Sequence, residues 1–204
     1  NFLNYYLYKK NINKDLLKVE ELNIKYYGYG VKGFILSLIE TTLKQFDKKI
    51  EVEVIEEILD IGKKMLIEPV KILPNVITTL EYLSKNHILI LITKGDLYDQ
   101  EKKIANSNLS KYFDFLEIIS NKTEDEYIKI LSKYNVNPKN FLMVGNSLKS
   151  DILPVNNLGG TGIYIPSNLT WDHEKIKIEE IPENLITLKN ISMLIPYLNN
   201  EFPN

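Results

Sequence analysis

From Val76 onward, short apolar runs and helical patterns take turns along the chain, and this alternation constrains the fold more than any other feature. Ile88-Leu89-Ile90-Leu91-Ile92 is a continuous apolar run, the pattern of a strand covered on both faces. Before it, residues 76–85 read as a helix. After it come a helix over 97–106, a strand over 115–119 and a helix over 124–134. An Asn137-Pro138 turn leads into a strand over 141–144; a helix over 152–158 then closes at Gly159-Gly160, before a strand over 161–165. Strands separated by helices imply right-handed crossovers and an open parallel sheet, so the predicted class is α/β with a Rossmann-like sheet.

The first third of the chain has a different rhythm. Leu16, Val19 and Leu22, then Ile35, Leu38, Ile39 and Leu43, then Val54, Ile55, Ile58 and Leu59 recur at helical spacing, with a loop expected over 26–33. Pro69 and Pro74 mark the change of pattern. Two domains follow from this: a helical unit over 1–70 and an α/β unit over 71–204.

At 204 residues, with 44% hydrophobic and 25% charged residues, the chain has enough apolar material for a proper core and is neither disordered nor a membrane bundle. No apolar run approaches the roughly 20 residues that span a bilayer. A net charge of −2 argues against a nucleic-acid partner. Cysteine is absent, which excludes disulfides and thiolate chemistry and makes a reducing cytoplasm the expected setting. All 25 cationic side chains are lysine, so phosphate or carboxylate binding must rely on lysine and backbone N–H groups. The chain starts at Asn1 and runs directly into Phe2-Leu3-Asn4-Tyr5, with no signal-peptide pattern; a segment upstream is expected.

In open α/β sheets, ligands sit beyond the carboxyl ends of the strands. Three predicted strands end in polar strings: Thr93-Lys94-Gly95-Asp96, Ser120-Asn121-Lys122, and Gly145-Asn146-Ser147-Leu148-Lys149-Ser150-Asp151. Taken singly, Thr93 reads as a turn former or cap, Lys122 as a solvated amine and Asp151 as an N-cap. Together they bring a hydroxyl, an ammonium and a carboxylate to one sheet edge. A hydroxyl and a lysine suit phosphate oxygens, and a carboxylate suits Mg²⁺.

These residues resemble the haloacid dehalogenase-like hydrolases, a superfamily consisting mostly of phosphatases. The apolar strand ending in Thr93 matches the family's second motif, Lys122 its third, and Gly145-Asn146 with Asp151 its fourth. Trp171-Asp172-His173-Glu174 and the Gly-rich string 27–34 are similar to an uncharacterised subgroup of the same family. The resemblance implies a Mg²⁺-dependent phosphatase of a small phosphorylated metabolite. Thr93 and Lys122 would be catalytic, Lys94 and Gly95 would help bind the phosphoryl group, and Asp151 and Asn146 would hold the metal. It also implies that residues 1–70 are a cap inserted into the core, with Tyr27, Tyr29 and Lys32 facing the substrate. An ordinary inter-helix turn accounts for these three equally well.

Two departures stand out. The family's Asp-x-Asp, which supplies the nucleophile after a first core strand, has no match, and that strand is expected between the strands ending at Thr93 and Val144. Asn146 stands where the fourth motif usually has its first acid. A non-catalytic binding or interaction protein that has lost its nucleophile is therefore the alternative reading. His173 reads as a surface residue, since two histidines without carboxylates do not make a usual zinc site.

Overall fold

The computed structural model describes residues 12–46, 49–167, 174 and 184–201. Trp171, Asp172 and His173 lie outside the described residues. The chain forms an α/β structure of parallel strands and helices that divides into two compact units, one of residues 1–70 with 95–103 and one of 71–94 with 104–204.

Among the described residues, three whole helices lie in the first unit: α1 (Ile12–Tyr27), α2 (Val31–Gln45) and α3 (Val52–Ile67). Leu16, Ile35, Leu38, Val54 and Ile58 are buried together, as their helical spacing predicts. Full burial of a side chain such as Ile58 contributes about 2–3 kcal/mol. Thr41 and Thr42 lie inside this helical unit because each hydroxyl donates to the carbonyl four residues back, Ser37 and Leu38, at 2.7 Å. Asn23 ties α1 to α2 through Ser37 Oγ at 3.1 Å and Glu40 Oε2 at 2.8 Å.

The loop between α1 and α2 is shorter than the composition of 26–33 predicts. Tyr26 and Tyr27 remain helical, and Val31 already opens α2. Gly28, with φ 67°, ends α1 in the left-handed conformation while its N–H donates to Ile24 O at 2.8 Å. That cap completes the helix end without a long linker.

The second unit contains α4 (Val76–Leu83), β1 (Ile90–Lys94), β2 (Phe115–Ile119), α6 (Glu124–Lys133), β3 (Leu142–Gly145), α7 (Leu153–Asn157), β4 (Thr161–Tyr164), β5 (Ile186–Thr187) and α8 (Leu194–Glu201). Helix α5 (Leu97–Ser107) follows β1, and its first residues group with the helical unit. β1 begins two residues later than the apolar run. The Asp114 carboxylate accepts from Leu89 N at 2.8 Å, and Ile88 is left exposed. β5 and α8 were not legible from periodicity, because β5 spans two residues and α8 carries Pro196 inside it.

Among the described residues every strand pair is parallel. β1 pairs with β2, from Ile90 opposite Phe115 to Lys94 opposite Ile119. β3 pairs with β4, and β4 with β5. Among the described residues no ladder joins β1 to β3, so the strands form a two-stranded and a three-stranded sheet. This division falls where the family resemblance places a further core strand. Ile92 of β1 and Met143 of β3 nevertheless share one buried cluster with Tyr127, Ile130 and Val155, so apolar packing links what backbone pairing does not.

Candidate active site

The carboxyl ends of β1, β2 and β3 carry Lys94, Lys122 and Asp151, and Glu174, from beyond β4, joins them within the α/β unit. Lys122, just beyond β2, places Nζ 2.6 Å from Asp151 Oδ1. Both side chains are largely buried, 12% and 6% exposed, so this pair lies in a medium where charge interactions far exceed those of a surface ion pair. Lys94, the last residue of β1, donates to Ser150 Oγ at 3.1 Å and is paired with Glu174.

The turn after β3 explains how Asp151 comes to face inward. Ser147 accepts from Ser150 N through its hydroxyl at 2.9 Å, and its carbonyl accepts from Asp151 N and, five residues on, from Ile152 N. The result is one wide π-type turn over Leu148–Ile152, a local departure from α geometry that recurs at functional sites. Asp151 Oδ2 in turn accepts from Ser147 N at 3.0 Å. A Cβ at position 145 would collide with that carboxylate, which makes Gly145 a requirement of the turn. Asp151 is therefore a buried partner of Lys122, and its ordinary N-cap reading does not describe it.

Beneath the turn, Tyr127 is fully buried and donates to Ser150 O at 3.0 Å. Burial first, then the negative charges of Asp151 and Glu174, hold its phenol above the ordinary value. Burial pushes the Glu174 carboxyl up, but hydrogen bonds from Lys94, Ser147 and Ser150 outweigh it and leave the group below its usual range.

Thr93 sits one residue before Lys94 in β1, in register with Ile118, and is half-buried. Asn146 follows β3 and is exposed. Thr93, Lys94, Lys122, Asn146 and Asp151 thus belong to one unit. Gly95, Tyr27, Tyr29 and Lys32 belong to the helical unit. There Lys32 Nζ lies 2.9 Å from Asp96 Oδ1 and 3.3 Å from Asp99 Oδ1, and 5.5 Å from the centre of the Tyr98 ring. Its bond to Asp96 raises the Lys32 pKa and lowers that of Asp96. Tyr27 is half exposed.

Sequence reasoning assigned no role to Ser147, Ser150 or Glu174. The first two carry a legible signal, a serine three residues before the N–H it caps. Glu174 carries none beyond its place in the Trp171-Asp172-His173-Glu174 string, because its partners are distant in the chain.

Among the described residues no group of three or more histidine and carboxylate side chains is placed to hold a metal. Asn146 and Asp151 both follow β3 and carry side-chain oxygens, Asn146 exposed and Asp151 buried. One carboxylate plus neutral oxygens, completed by water and a phosphate, is a donor set that suits Mg²⁺.

The parallel α/β fold is that of the haloacid dehalogenase-like hydrolases, and the chain belongs to that family, whose model matches residues 5–159. A haloacid dehalogenase-like family hydrolase from Xanthomonas campestris is 33% identical, with a TM-score of 0.83 over 98% of this chain and 82% of that one. A predicted phosphoglycolate phosphatase from Haemophilus somnus is 17% identical, TM-score 0.62, over 91% and 88%. L-2-haloacid dehalogenase from Xanthobacter autotrophicus is 14% identical, TM-score 0.63, over 94% and 84%. No match was found among the curated proteins.

Proposed function

We propose that the protein acts as a Mg²⁺-dependent phosphoric monoester hydrolase on a small phosphorylated metabolite. The supporting observation is the pair of largely buried ammonium groups beyond the ends of β1 and β2, Lys94 bound to Ser150 Oγ and Glu174 and Lys122 bound to Asp151. Glu174 and Asp151 match these two charges, so a phosphoryl dianion would be held by ammonium and hydroxyl donors together with the extra positive charge that Mg²⁺ brings. The likeness to the phosphatase and to the dehalogenase is at the level of fold, and does not choose between them.

In this reading the Thr93 hydroxyl and the Lys94 and Gly95 backbone bind phosphoryl oxygens. Lys122 stabilises the negative charge that gathers on those oxygens as the ester bond breaks. Asp151 keeps Lys122 oriented and, with Asn146, holds Mg²⁺, which when bound neutralises phosphoryl charge. Tyr27, Tyr29 and Lys32 recognise the leaving group. The covalent step of the family requires an aspartate of an Asp-x-Asp pair, and no such pair occurs in this sequence. The alternative reading is a non-catalytic binding or interaction protein, which would bind phosphate without turning it over. The absence of cysteine fits work in a reducing cytoplasm, and no helix among the described residues is long and apolar enough to cross a membrane.

Release of inorganic phosphate from sugar phosphates, nucleotides and an aryl phosphate, with Mg²⁺ and with chelator, tests the proposal. Metal-dependent turnover supports the enzyme; binding of phosphate without turnover supports the second reading; chloride release from 2-chloropropionate instead would refute both.

A further inference from the structure

Among the described residues, the Glu174 carboxylate reaches from the end of β1 to the turn after β3. Its Oε1 is paired with Lys94 Nζ at the end of β1, and its Oε2 accepts from Ser147 Oγ after β3. β1 and β3 share no backbone ladder among the described residues. The Glu174 side chain is 14% exposed and that of Lys94 is 13% exposed, so each removes the other from water.

A lysine has four rotatable bonds and a strongly hydrated head, and it swings to solvent unless a charge retains it. Lys94 Nζ also donates to a neutral hydroxyl, Ser150 Oγ at 3.1 Å, which is a weaker anchor than a carboxylate. The same carboxylate fixes Ser147, whose hydroxyl accepts from Ser150 N and whose N–H holds Asp151 Oδ2. A chain of bonds thus runs from Lys94 through Glu174, Ser147 and Asp151 to Lys122.

We infer that Glu174 is a positioning residue, which holds the Lys94 ammonium over the carboxyl end of β1 where the phosphoryl group binds. The inference rests on the phosphate-ester reading for what Lys94 contacts, but the geometry of the Lys94 and Glu174 pair does not depend on it. Glu174 touches no substrate in this account and acts through Lys94.

The test is amine acetylation of the full chain with a limiting N-hydroxysuccinimide ester, read at each lysine by peptide mass spectrometry, in the wild type, Glu174→Gln and Glu174→Asp. Glutamine keeps the shape and the Ser147 contact but not the charge, so Lys94 is expected to react about tenfold faster in Glu174→Gln. Aspartate keeps the charge, and its Lys94 should stay closer to wild type. Lys122 serves as the control for folding, since Asp151 retains it in all three, and exposed Lys139 sets the unprotected rate. If Glu174→Gln exposes Lys122 as well, the aspartate variant decides. Lys94 reacting at the Lys139 rate in the wild type, or unchanged in both variants, overturns the inference. In turnover of an aryl phosphate, Glu174→Gln combined with Lys94→Met should fall no further than Lys94→Met alone, whereas full additivity refutes action through Lys94. Absence of turnover in the wild type bears on the phosphatase reading alone, because the labelling ratio still decides the role of Glu174.

Discussion

Lys122 and Asp151 meet at 2.6 Å although the strands that carry them to this point, β2 and β3, belong to sheets joined by no hydrogen-bonded ladder among the described residues. The pair is therefore a side-chain tie between the two halves of the α/β unit as well as part of the site. Its double role sets the first expectation. Removing either partner leaves a buried charge uncompensated, so Lys122→Met and Asp151→Asn should each destabilise the protein by about 3 kcal/mol, with the double variant costing less than the sum. Denaturant unfolding of the four proteins measures this. Strict additivity would show that the two groups do not interact.

For catalysis, Lys122→Met is expected to lower kcat and kcat/KM together by on the order of 10²-fold, since it acts on charge that develops as the ester bond breaks. Lys32→Ala should instead raise KM and reorder a panel of phosphate esters. Lys32 and its partner Asp96 are 48% and 36% exposed while its second partner Asp99 is buried, so a modest stability loss of about 1–2 kcal/mol should accompany the change. Steady-state kinetics on the panel separate the two. A loss of kcat with Lys32→Ala on every substrate would contradict this division.

Metal affinity should follow the number of carboxylates at the end of β3. Asp151→Asn is expected to abolish measurable Mg²⁺ binding, and Asn146→Asp to strengthen it by about tenfold. Titration calorimetry in the presence of inorganic phosphate reads both. Equal affinity in all three proteins would remove Asn146 and Asp151 from the metal site.

The depressed pKa of Glu174 makes a prediction about acid stability. A carboxyl held below its unfolded value, about 4.3, stabilises the fold above that pH and loses this contribution as the pH falls toward the folded value. The stability gap between wild type and Glu174→Gln should thus be largest above the unfolded carboxyl value and shrink as the pH falls below it. Urea melts across that range supply the comparison, and a gap independent of pH would show that Glu174 contributes no charge-dependent stability.

Tyr127 offers a check on the turn itself. Tyr127→Phe leaves the buried Ser150 carbonyl without its donor and should cost about 1–3 kcal/mol. Because Ser150 O lies in the turn that aims Asp151, Mg²⁺ affinity should weaken with it. Full affinity in a destabilised variant would separate the turn from the site.

The helical and strand elements were legible because their causes are local. Leu16, Ile35, Leu38, Val54 and Ile58 repeat at helical spacing and are buried together. Thr123, before the acidic turn Glu124-Asp125-Glu126, caps α6 by accepting from Glu126 N. The polar strings after β1, β2 and β3 were likewise visible, since each follows an apolar run. Boundaries moved where one specific bond intervened, as Asp114 does at Leu89.

Which of these side chains touch was decided by the tertiary structure alone. Asp151 finds Lys122 across 29 residues, and Glu174 finds Lys94 across 80, separations at which no periodicity or cap preference carries information. The sequence by itself determined that hydroxyls, ammonium groups and a carboxylate end successive strands, because alternation and capping act over a few residues. Only the parallel crossovers, which return each strand to the same edge, and the π-type turn, which points Asp151 inward, could bring those groups within hydrogen-bond reach of one another.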